Sequence, residues 1–445
     1  MILPRREFLA ASLPSFNPGG AAPLRAPNIV FLLADQWRPQ TLPAAGDTNL
    51  IAPNLARLGK EGVHCRRAYA TNPVCSPSRA SILTGRYPHA CRVPRNDLPL
   101  ALEEPSLALE LKKAGYATGY IGKWHLDGEG KPGFVPPGPR RRGFDFWAAF
   151  NRGHAYYDPT YFGDSPEPVR PGGFEPDYQT DLAIRFIRSH RDRPFFLYLS
   201  WGPPHPPRKA PEAFLRRYDP RAFRLAANVP DHYEAKAREG MHGYYALCTA
   251  VDANLGRVLA ALDELRLADD TIVVFTSDHG DMLGAHGLEF KGLPYEESSR
   301  IPLLIRYPRK LGRDVDNDTL VSNADLMPTL LSSCGAGIPE SVQGRNLAPL
   351  LFEGRGESPE SVYAYGRLGT AEEWRMVVRG YDKLVVNARL EATHLYNLGQ
   401  DPLEMNNLAG EAGSLRKRDE LRAVLRMRMR ELGDTMDPSG LRLRG

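Results

Sequence analysis

The apolar run NIVFLLA spans residues 28–34 and is followed directly by Asp35 and Gln36. An apolar run without polar alternation is typical of a strand that is buried on both faces, as in a parallel sheet covered by helices. We predict further strands of this kind, each followed by a charged or imidazole side chain, at 118–122 before Lys123, 195–199 before His205 and 271–276 before Asp278.

Helical segments alternate with these strands along the chain. Helices are predicted at 54–62, 104–114, 177–190 and 243–267, and one more strand at 302–305. This alternation indicates an α/β fold in which helices flank a parallel sheet. Ligands of open α/β sheets bind beyond the carboxyl ends of the strands. The polar side chains that follow the strands are therefore expected to meet at one edge: Asp35, Lys123, His205 and Asp278.

The pattern changes beyond residue 356, where short apolar segments are separated by turns. The segments 361–365, 375–379 and 382–387 predict a small antiparallel sheet, followed by a charged helix at 412–432. We therefore divide the chain into an N-terminal export signal or disordered tail, a catalytic domain and a smaller C-terminal α+β subdomain, at 1–27, 28–355 and 356–445.

The composition is that of a globular protein, with 42% hydrophobic and 25% charged residues. The formal net charge of +4 is small, and basic and acidic residues are interspersed, so nothing indicates a nucleic acid partner. No run of about 18 apolar residues occurs, which predicts that no helix spans a membrane. The five cysteines show no metal-type CxxC spacing.

Two arginines near the N-terminus, Arg5 and Arg6, precede Phe8 and Leu9. This arrangement resembles a twin-arginine export signal, and it predicts a periplasmic or secreted protein. The apolar run that follows is short and is interrupted by Pro14. The alternative is a disordered N-terminal tail on a cytoplasmic protein.

The sequence PVCSPSRASILTG at 73–85 contains a cysteine between two prolines. Pro73 and Pro77 restrict the backbone, so Cys75 is predicted to lie on a stiff loop just before a helix. Its thiol would then face the positive end of the helix dipole, and the Arg79 guanidinium has donors suited to sulfate or phosphate. A buried cysteine in a proline-rich loop, without catalytic function, is the alternative for this segment alone.

This segment resembles the signature of the sulfatase family, Cys-x-Pro-x-Arg followed by an apolar pair and Thr-Gly. A second segment, GYATGYIGKWH at 115–125, resembles the second signature of that family. The resemblance runs over about residues 28–408 and implies an alkaline-phosphatase-like fold with a mixed, mostly parallel sheet. It also implies that a formylglycine-generating enzyme oxidises Cys75 to formylglycine, whose hydrated aldehyde is the nucleophile.

Oxygen-rich side chains in two pairs predict a metal site. The pairs Asp35-Gln36 and Asp278-His279 follow two strands and offer ligands for a hard divalent cation, typically Ca²⁺. Many sulfatases have Asp-Asp and Asp-Asn at these places, so Mg²⁺ or Mn²⁺ remains an alternative here. The resemblance adds Cys75, as formylglycine, to the metal ligands.

The resemblance also implies roles for other residues. Arg79 and Lys123 would steady the sulfate or the formylglycine diol, and His125 would be the base that removes the second hydroxyl proton to expel sulfate. His205 and Lys291 would act as cations on the sulfate and the leaving oxygen. In the loop-rich region 128–173, Asn151 and His154 either line a substrate pocket or cover the edge of the core.

We therefore predict a hydrolase of sulfate esters, with a carbohydrate or aryl sulfate as substrate. Two alternatives remain. A phosphonate monoester or phosphodiester hydrolase would use the same formylglycine and also carries such Asp-Gln and Asp-His pairs. A non-catalytic binding protein on this fold would keep Cys75 unmodified and bind no metal.

Overall fold

The computed structural model of the chain describes residues 26–434, and its central element is a nine-stranded sheet. The strands are β1 Asn28–Asp35, β2 Val63–Tyr69, β3 Ala117–Lys123, β4 Phe146–Phe150, β5 Phe195–Pro204, β6 Thr271–Ser277, β7 Arg300–Ile301, β8 Leu303–Arg306 and β9 Val315–Ser322. They follow the order β4-β3-β5-β1-β6-β8-β2-β7, with β4 at one edge, and β9 pairs with β2.

The central part of this sheet is parallel. β1 lies between β5 and β6 and pairs in parallel with both, and β3 pairs in parallel with β4 and β5. β8 joins β6 and β2 in antiparallel pairing. The sheet is thus mixed and mostly parallel, as predicted, and the carboxyl ends of β1, β3, β5 and β6 share one edge.

Helices cover both faces of this sheet. The side chains of β1 alternate between the two cores, with Phe31 facing one and Leu32 the other, which explains the continuous apolar run. The helices of the α/β part are α1 Pro53–Lys60, α2 Cys75–Thr84, α3 Leu107–Lys113, α4 Glu175–Ser189, α5 Glu212–Leu215, α6 Glu234–Glu264, α7 Glu296–Ser299, α8 Leu326–Ser333 and α9 Ala348–Glu353. One face is covered by α1, α4 and α6 and the other by α2, α3 and α8.

A second, antiparallel sheet follows the α/β part, as predicted. Its four strands pair in chain order, and α10 Leu415–Leu432 packs on one face through Leu421 and Leu425. The opposite face packs against Tyr69 of β2 and Leu320 of β9. The strands are β10 Ser361–Gly366, β11 Trp374–Arg379, β12 Asp382–Asn387 and β13 Ala392–Asn397.

Four strands of the large sheet were not predicted, one of which is the two-residue strand β7. β2 has the sequence VHCRRAY and β9 has VDNDTLVS, so neither shows an apolar run, and β4 lies in the region predicted as loop. Tertiary pairing outweighs local propensity in such strands. Two helices begin at other residues than predicted. α6 begins at Glu234, whereas Gly243 was predicted, and α3 begins at Leu107, after Ser106, whereas Glu104 was predicted.

The predicted export signal at 1–27 lies almost entirely outside the described residues. Across residues 26–434, no helix combines the length and the apolar character that crossing a membrane requires.

Candidate active site

The carboxyl edge of the large sheet brings four predicted residues into one buried cluster. Ligand atoms of Asp35, Cys75, Asp278 and His279 all lie within 4.8 Å of one another. Asp35 ends β1 and the pair Asp278-His279 follows β6, and these neighbouring parallel strands deliver their side chains to the same place. The meeting of strand ends that the sequence predicts is therefore present.

The backbone at these strand ends adopts conformations that side-chain-bearing residues rarely take. Gln36, just after β1, has a φ of 69°, and His125, just after β3, has a φ of 58°. At Gly122 the φ is +106° and an added Cβ would lie 2.0 Å from the carbonyl oxygen of Ser200, so only glycine fits before Lys123. Such strain is typical of functional sites.

Cys75 is the first residue of α2, which corrects the prediction that it lies on a loop. Val74 is extended and precedes the helix, and Pro77 lies in the first turn, where a missing N–H is tolerated. The Ser76 N–H donates to Asn96 Oδ1 at 2.9 Å, so a side chain caps one of the free amides of this helix end. The thiol therefore lies at the positive end of α2.

Arg79 is buried and binds the two carboxylates. Its Nε donates to Asp278 Oδ2 at 2.9 Å and its Nη2 to Asp35 Oδ2 at 3.2 Å. Its Nη1 donates to the Lys123 carbonyl and to Ser200 Oγ, both at 2.8 Å. Four of the five N–H donors of a guanidinium are thus used within the protein. These bonds orient the two carboxylates, and a contact of Arg79 with sulfate stays a prediction.

Two lysines contact the cluster or its neighbour Gln36. Lys123 Nζ donates to Asp35 Oδ2 at 2.6 Å, and Lys291 Nζ donates to Gln36 Oε1 at 2.6 Å and to Cys75 Sγ at 3.3 Å. Burial and the Asp35 carboxylate act to raise the pKa of Cys75. The surrounding cations, led by Lys123 and Lys291, outweigh both and hold the pKa well below its ordinary value. This position therefore favours negative charge.

The donor set fits a divalent cation. His279 Nδ1 lies 3.0 Å from the Gly280 carbonyl, and donation there leaves the lone pair on Nε2. That nitrogen lies 3.6 Å from Asp278 Oδ1 and 3.8 Å from Asp35 Oδ1. An imidazole nitrogen and two carboxylates, oriented by bonds to their other atoms, are the ligands that such cations take.

Gln36 is oriented by a residue that the sequence analysis did not identify. Its Nε2 donates to Asp281 Oδ2 at 2.7 Å, and the same oxygen accepts from Arg208 Nη2 at 2.8 Å. The amide oxygen of Gln36 is thereby turned towards Lys291. Metal ligation by Gln36 stays a prediction. The signal for Asp281 was its place in the segment Asp278-His279-Gly280-Asp281.

His125 is held by a second unforeseen acid. Its Nε2 lies 3.1 Å from Asp97 Oδ1, and Arg152 Nη1 lies 3.1 Å from the same oxygen. His125 Nδ1 is buried and has no hydrogen-bond partner in the described part of the chain. The catalytic role of His125 stays a prediction. Asp97 has a φ of 67° and follows Asn96, the residue that caps α2.

His205 and His154 stack face to face. Their ring centroids are 3.6 Å apart with an interplanar angle of 5°, and His154 Nε2 lies 3.2 Å from Lys123 Nζ. His205 Nδ1 lies 2.6 Å from the Pro206 carbonyl. Burial, only partly offset by Asp35, lowers the pKa of His205 to about 4. The imidazole is therefore neutral at neutral pH in the free protein, and its role as a cation on the sulfate and the leaving oxygen stays a prediction.

Asn151 supports a loop, and its contacts do not favour the predicted substrate-binding role. Its Oδ1 accepts from the Asp127 N–H at 3.1 Å. Its Nδ2 donates to the carbonyls of Gly128 and Gly130 at 2.9 and 3.0 Å. Both amide hydrogens are thus used, so we leave Asn151 out of the proposed substrate-binding residues. His154, by contrast, lies beside His205 and Lys123.

Comparison with known proteins identifies the family. The family model described as Sulfatase matches residues 27–336, and the model for the C-terminal part of N-sulphoglucosamine sulphohydrolase matches residues 284–433. The chain belongs to the sulfatase family. It is a sulfuric ester hydrolase of the alkaline phosphatase superfamily.

Three similar proteins illustrate the breadth of this family. The ulvan-active sulfatase of Formosa agariphila is 36% identical over 427 residues, which cover 92% of this chain and 82% of that protein. A solved structure in complex with its substrate D-glucosamine-2-N,6-O-disulfate has a TM-score of 0.85 at 26% identity, covering 93% and 99% of the two chains. The phosphonate monoester hydrolase of Agrobacterium radiobacter has a TM-score of 0.76 at 25% identity, covering 91% and 96%.

Proposed function

We propose that this sulfatase hydrolyses sulfate esters of carbohydrates, with formylglycine made from Cys75 as the nucleophile and a divalent metal as cofactor. The observation that carries the proposal is the buried cluster of Asp35, Cys75, Asp278 and His279, whose ligand atoms lie within 4.8 Å of one another. A formylglycine-generating enzyme is the partner required for maturation. Without it residue 75 would stay a thiol.

Asp35, Asp278 and His279 would hold the metal, with Gln36 as an additional oxygen ligand. A divalent cation there would supply positive charge to the nucleophile and to the sulfate oxygens. Ca²⁺ is the first choice because most of the donors are oxygens, and Mg²⁺ and Mn²⁺ are the alternatives. Arg79 would keep both carboxylates directed at the cation, as its bonds of 2.9 and 3.2 Å support.

The lysines would stabilise charge on the sulfate during the reaction. In the unmodified chain burial lowers the pKa of Lys291, but the negative groups around it, Cys75 first and then Asp35 and Asp278, raise it above its ordinary value. The two carboxylates would still favour protonated Lys291 once Cys75 is converted. Lys123 is bonded to Asp35 at 2.6 Å. Cations already in place around the developing charge lower the barrier without reorganisation.

His205 would act on the leaving oxygen. In the free protein it is neutral, with Nδ1 on the Pro206 carbonyl and the lone pair on Nε2. A bound sulfate brings negative charge next to the imidazole, which raises its pKa and favours the protonated form. His205 could then donate a proton to the departing alkoxide. We assign His125 the role of base in sulfate release, positioned by Asp97 at 3.1 Å.

Two similar proteins support a carbohydrate sulfate as substrate: one is named for ulvan, and the other was solved with a disulfated glucosamine. Phosphonate monoester hydrolysis is the second candidate, because the Agrobacterium radiobacter enzyme shares the fold with a TM-score of 0.76. The twin arginines at 5 and 6 support our proposal that the sulfatase is exported, which leaves the cytoplasm as the alternative.

Rates on matched esters test the proposed function. We expect kcat/KM on a sulfated glucosamine and on an aryl sulfate to exceed that on an aryl phosphonate monoester or phosphodiester by about tenfold or more, a difference of about 1.4 kcal/mol in transition-state binding. The measurement is initial rates on all four substrates with one enzyme preparation. A higher kcat/KM on the phosphorus esters would favour the second candidate.

A further inference from the structure

A cavity of about 320 Å³ opens beside the stacked histidines. His154 lines it, and the same imidazole stacks on His205 at 3.6 Å and lies 3.2 Å from Lys123. The cavity is thus a direct neighbour of the groups proposed to bind sulfate. Its lining also includes Lys131, Pro132, Phe150, Arg152 and Glu175.

The walls of the cavity combine apolar surfaces with buried polar atoms that lack partners. Phe150 and Pro132 present apolar surface, as the carbon face of a sugar ring requires. Glu175 is 1% exposed, yet its Oε2 has no hydrogen-bond partner within residues 26–434, and neither has His154 Nδ1. Because buried polar atoms are normally paired, these two could each gain a hydrogen bond from a ligand that enters the cavity.

Most of the charged side chains that line the cavity are cations. Lys131 and Arg152 contribute two cations, and the only carboxyl group among the described lining residues is Glu175. Burial raises the pKa of Glu175 to about 8, so this group is mostly protonated at neutral pH and adds little negative charge. Arg152 pairs with Asp97 through Nη1 at 3.1 Å, and its side chain is 38% exposed.

We infer that this cavity binds a sugar ring of the substrate that bears a second anionic group, a carboxylate or a second sulfate, besides the sulfate that is cleaved. Glu175 and His154 would hydrogen-bond to ring hydroxyls, and Arg152 and Lys131 would bind the anion. The inference rests on the proposed function, because it assumes that the cleaved sulfate lies at Cys75. It adds the substrate class that the site selects.

The test compares sugars that differ only in the second anion. The substrates are a glucosamine with one sulfate, a glucosamine with two sulfates, and a disaccharide in which a uronic acid adjoins the sulfated sugar. An aryl sulfate reports the chemical step alone. Arg152→Ala and Lys131→Ala remove the cations. Arg216→Ala is the matched control, because Arg216 also pairs with one carboxylate, Glu212 at 2.9 Å, and is 77% exposed.

We expect Arg152→Ala and Lys131→Ala each to lower kcat/KM on one of the two doubly anionic sugars. This loss of kcat/KM should be about tenfold larger than the loss on the monosulfated sugar or on the aryl sulfate, because a charge-assisted hydrogen bond to the second anion is removed. A lower kcat/KM on the disulfated glucosamine would identify a sulfate as the second anion. A lower kcat/KM on the disaccharide would identify a carboxylate. Arg216→Ala should change none of these rates. The aryl sulfate arm corrects for any effect of Arg152 on His125 through Asp97.

The inference would be overturned if Arg152→Ala and Lys131→Ala lowered kcat/KM equally on all substrates, or if they did not lower it on either doubly anionic sugar. Binding of the same sugars, measured by calorimetry on the wild-type chain and the variants, separates this outcome from failure of the proposed function. If no sulfate ester were hydrolysed while the variants still weakened binding of a doubly anionic sugar, the proposed function would fail, and the cavity would be a binding site for that sugar without a role in cleavage.

Discussion

The Cys75→Ala variant is expected to lose sulfate-ester hydrolysis by about a thousandfold or more, since removal of a nucleophile leaves only the contribution of binding and electrostatics. Alanine cannot be converted to an aldehyde, and it presents no oxygen to the sulfur. Lys291 and His279 would still surround the position, at 3.3 Å from Sγ in the native chain. The measurement is kcat on an aryl sulfate, together with thermal unfolding.

Cys65→Ala is the matched control for this variant. Cys65 is as buried as Cys75, but it lies on β2 within the apolar core and away from the cluster. We expect Cys65→Ala to lower the unfolding temperature slightly and to leave kcat unchanged. A Cys75→Ala chain with wild-type kcat would contradict the proposal, because it would show that the nucleophile lies elsewhere.

The Asp278→Asn variant is expected to lose bound divalent metal on dialysis, and its activity is expected to fall by about a hundredfold or more. Removal of a group that only orients a metal ligand already lowers activity by up to about a hundredfold, and removal of a ligand should cost at least as much. Asparagine keeps an oxygen for the N–H groups of Gln36 and His279, each 3.0 Å from Asp278 Oδ1. It removes the negative charge that pairs with buried Arg79 at 2.9 Å. Metal content per chain and kcat are measured on the same sample.

Asp252→Asn separates loss of metal from loss of stability. Asp252 is also a buried carboxylate, but its oxygens accept from the N–H groups of Asn54 and Leu55 at 3.2 and 2.7 Å, at the start of α1. We expect this control to lower the unfolding temperature while metal content and kcat stay at the wild-type level. Full metal content in Asp278→Asn would contradict the proposed ligand set.

Much of the fold could be predicted because strands buried on both faces have a distinctive sequence. The runs ahead of Asp35, Lys123 and Asp278 are rich in apolar residues and buried throughout, and all three are strands of the sheet. β2 and β9 carry charged residues within the strand, so their place in the sheet depends on partners distant in sequence. Local patterns contain no information on such pairing.

The cluster itself and Arg79 could be foreseen from the sequence, but two acids that orient neighbouring side chains could not. Asp97 is a single acid without a signature of its own, and Asp281 is marked only by its place three residues after Asp278. Their functions arise from partners that the fold brings near, such as His125 for Asp97 and Gln36 for Asp281. The charge state of an imidazole likewise depends on burial, which the sequence does not reveal.

Mass spectrometry of the peptide that spans Cys75 tests the central claim most directly. The chain is produced with a formylglycine-generating enzyme, and its activity on an aryl sulfate is measured on the same preparation. The account predicts a mass decrease at residue 75 that corresponds to replacement of the thiol by an aldehyde, with activity proportional to the converted fraction. A fully active preparation with an unmodified thiol at Cys75 would contradict it.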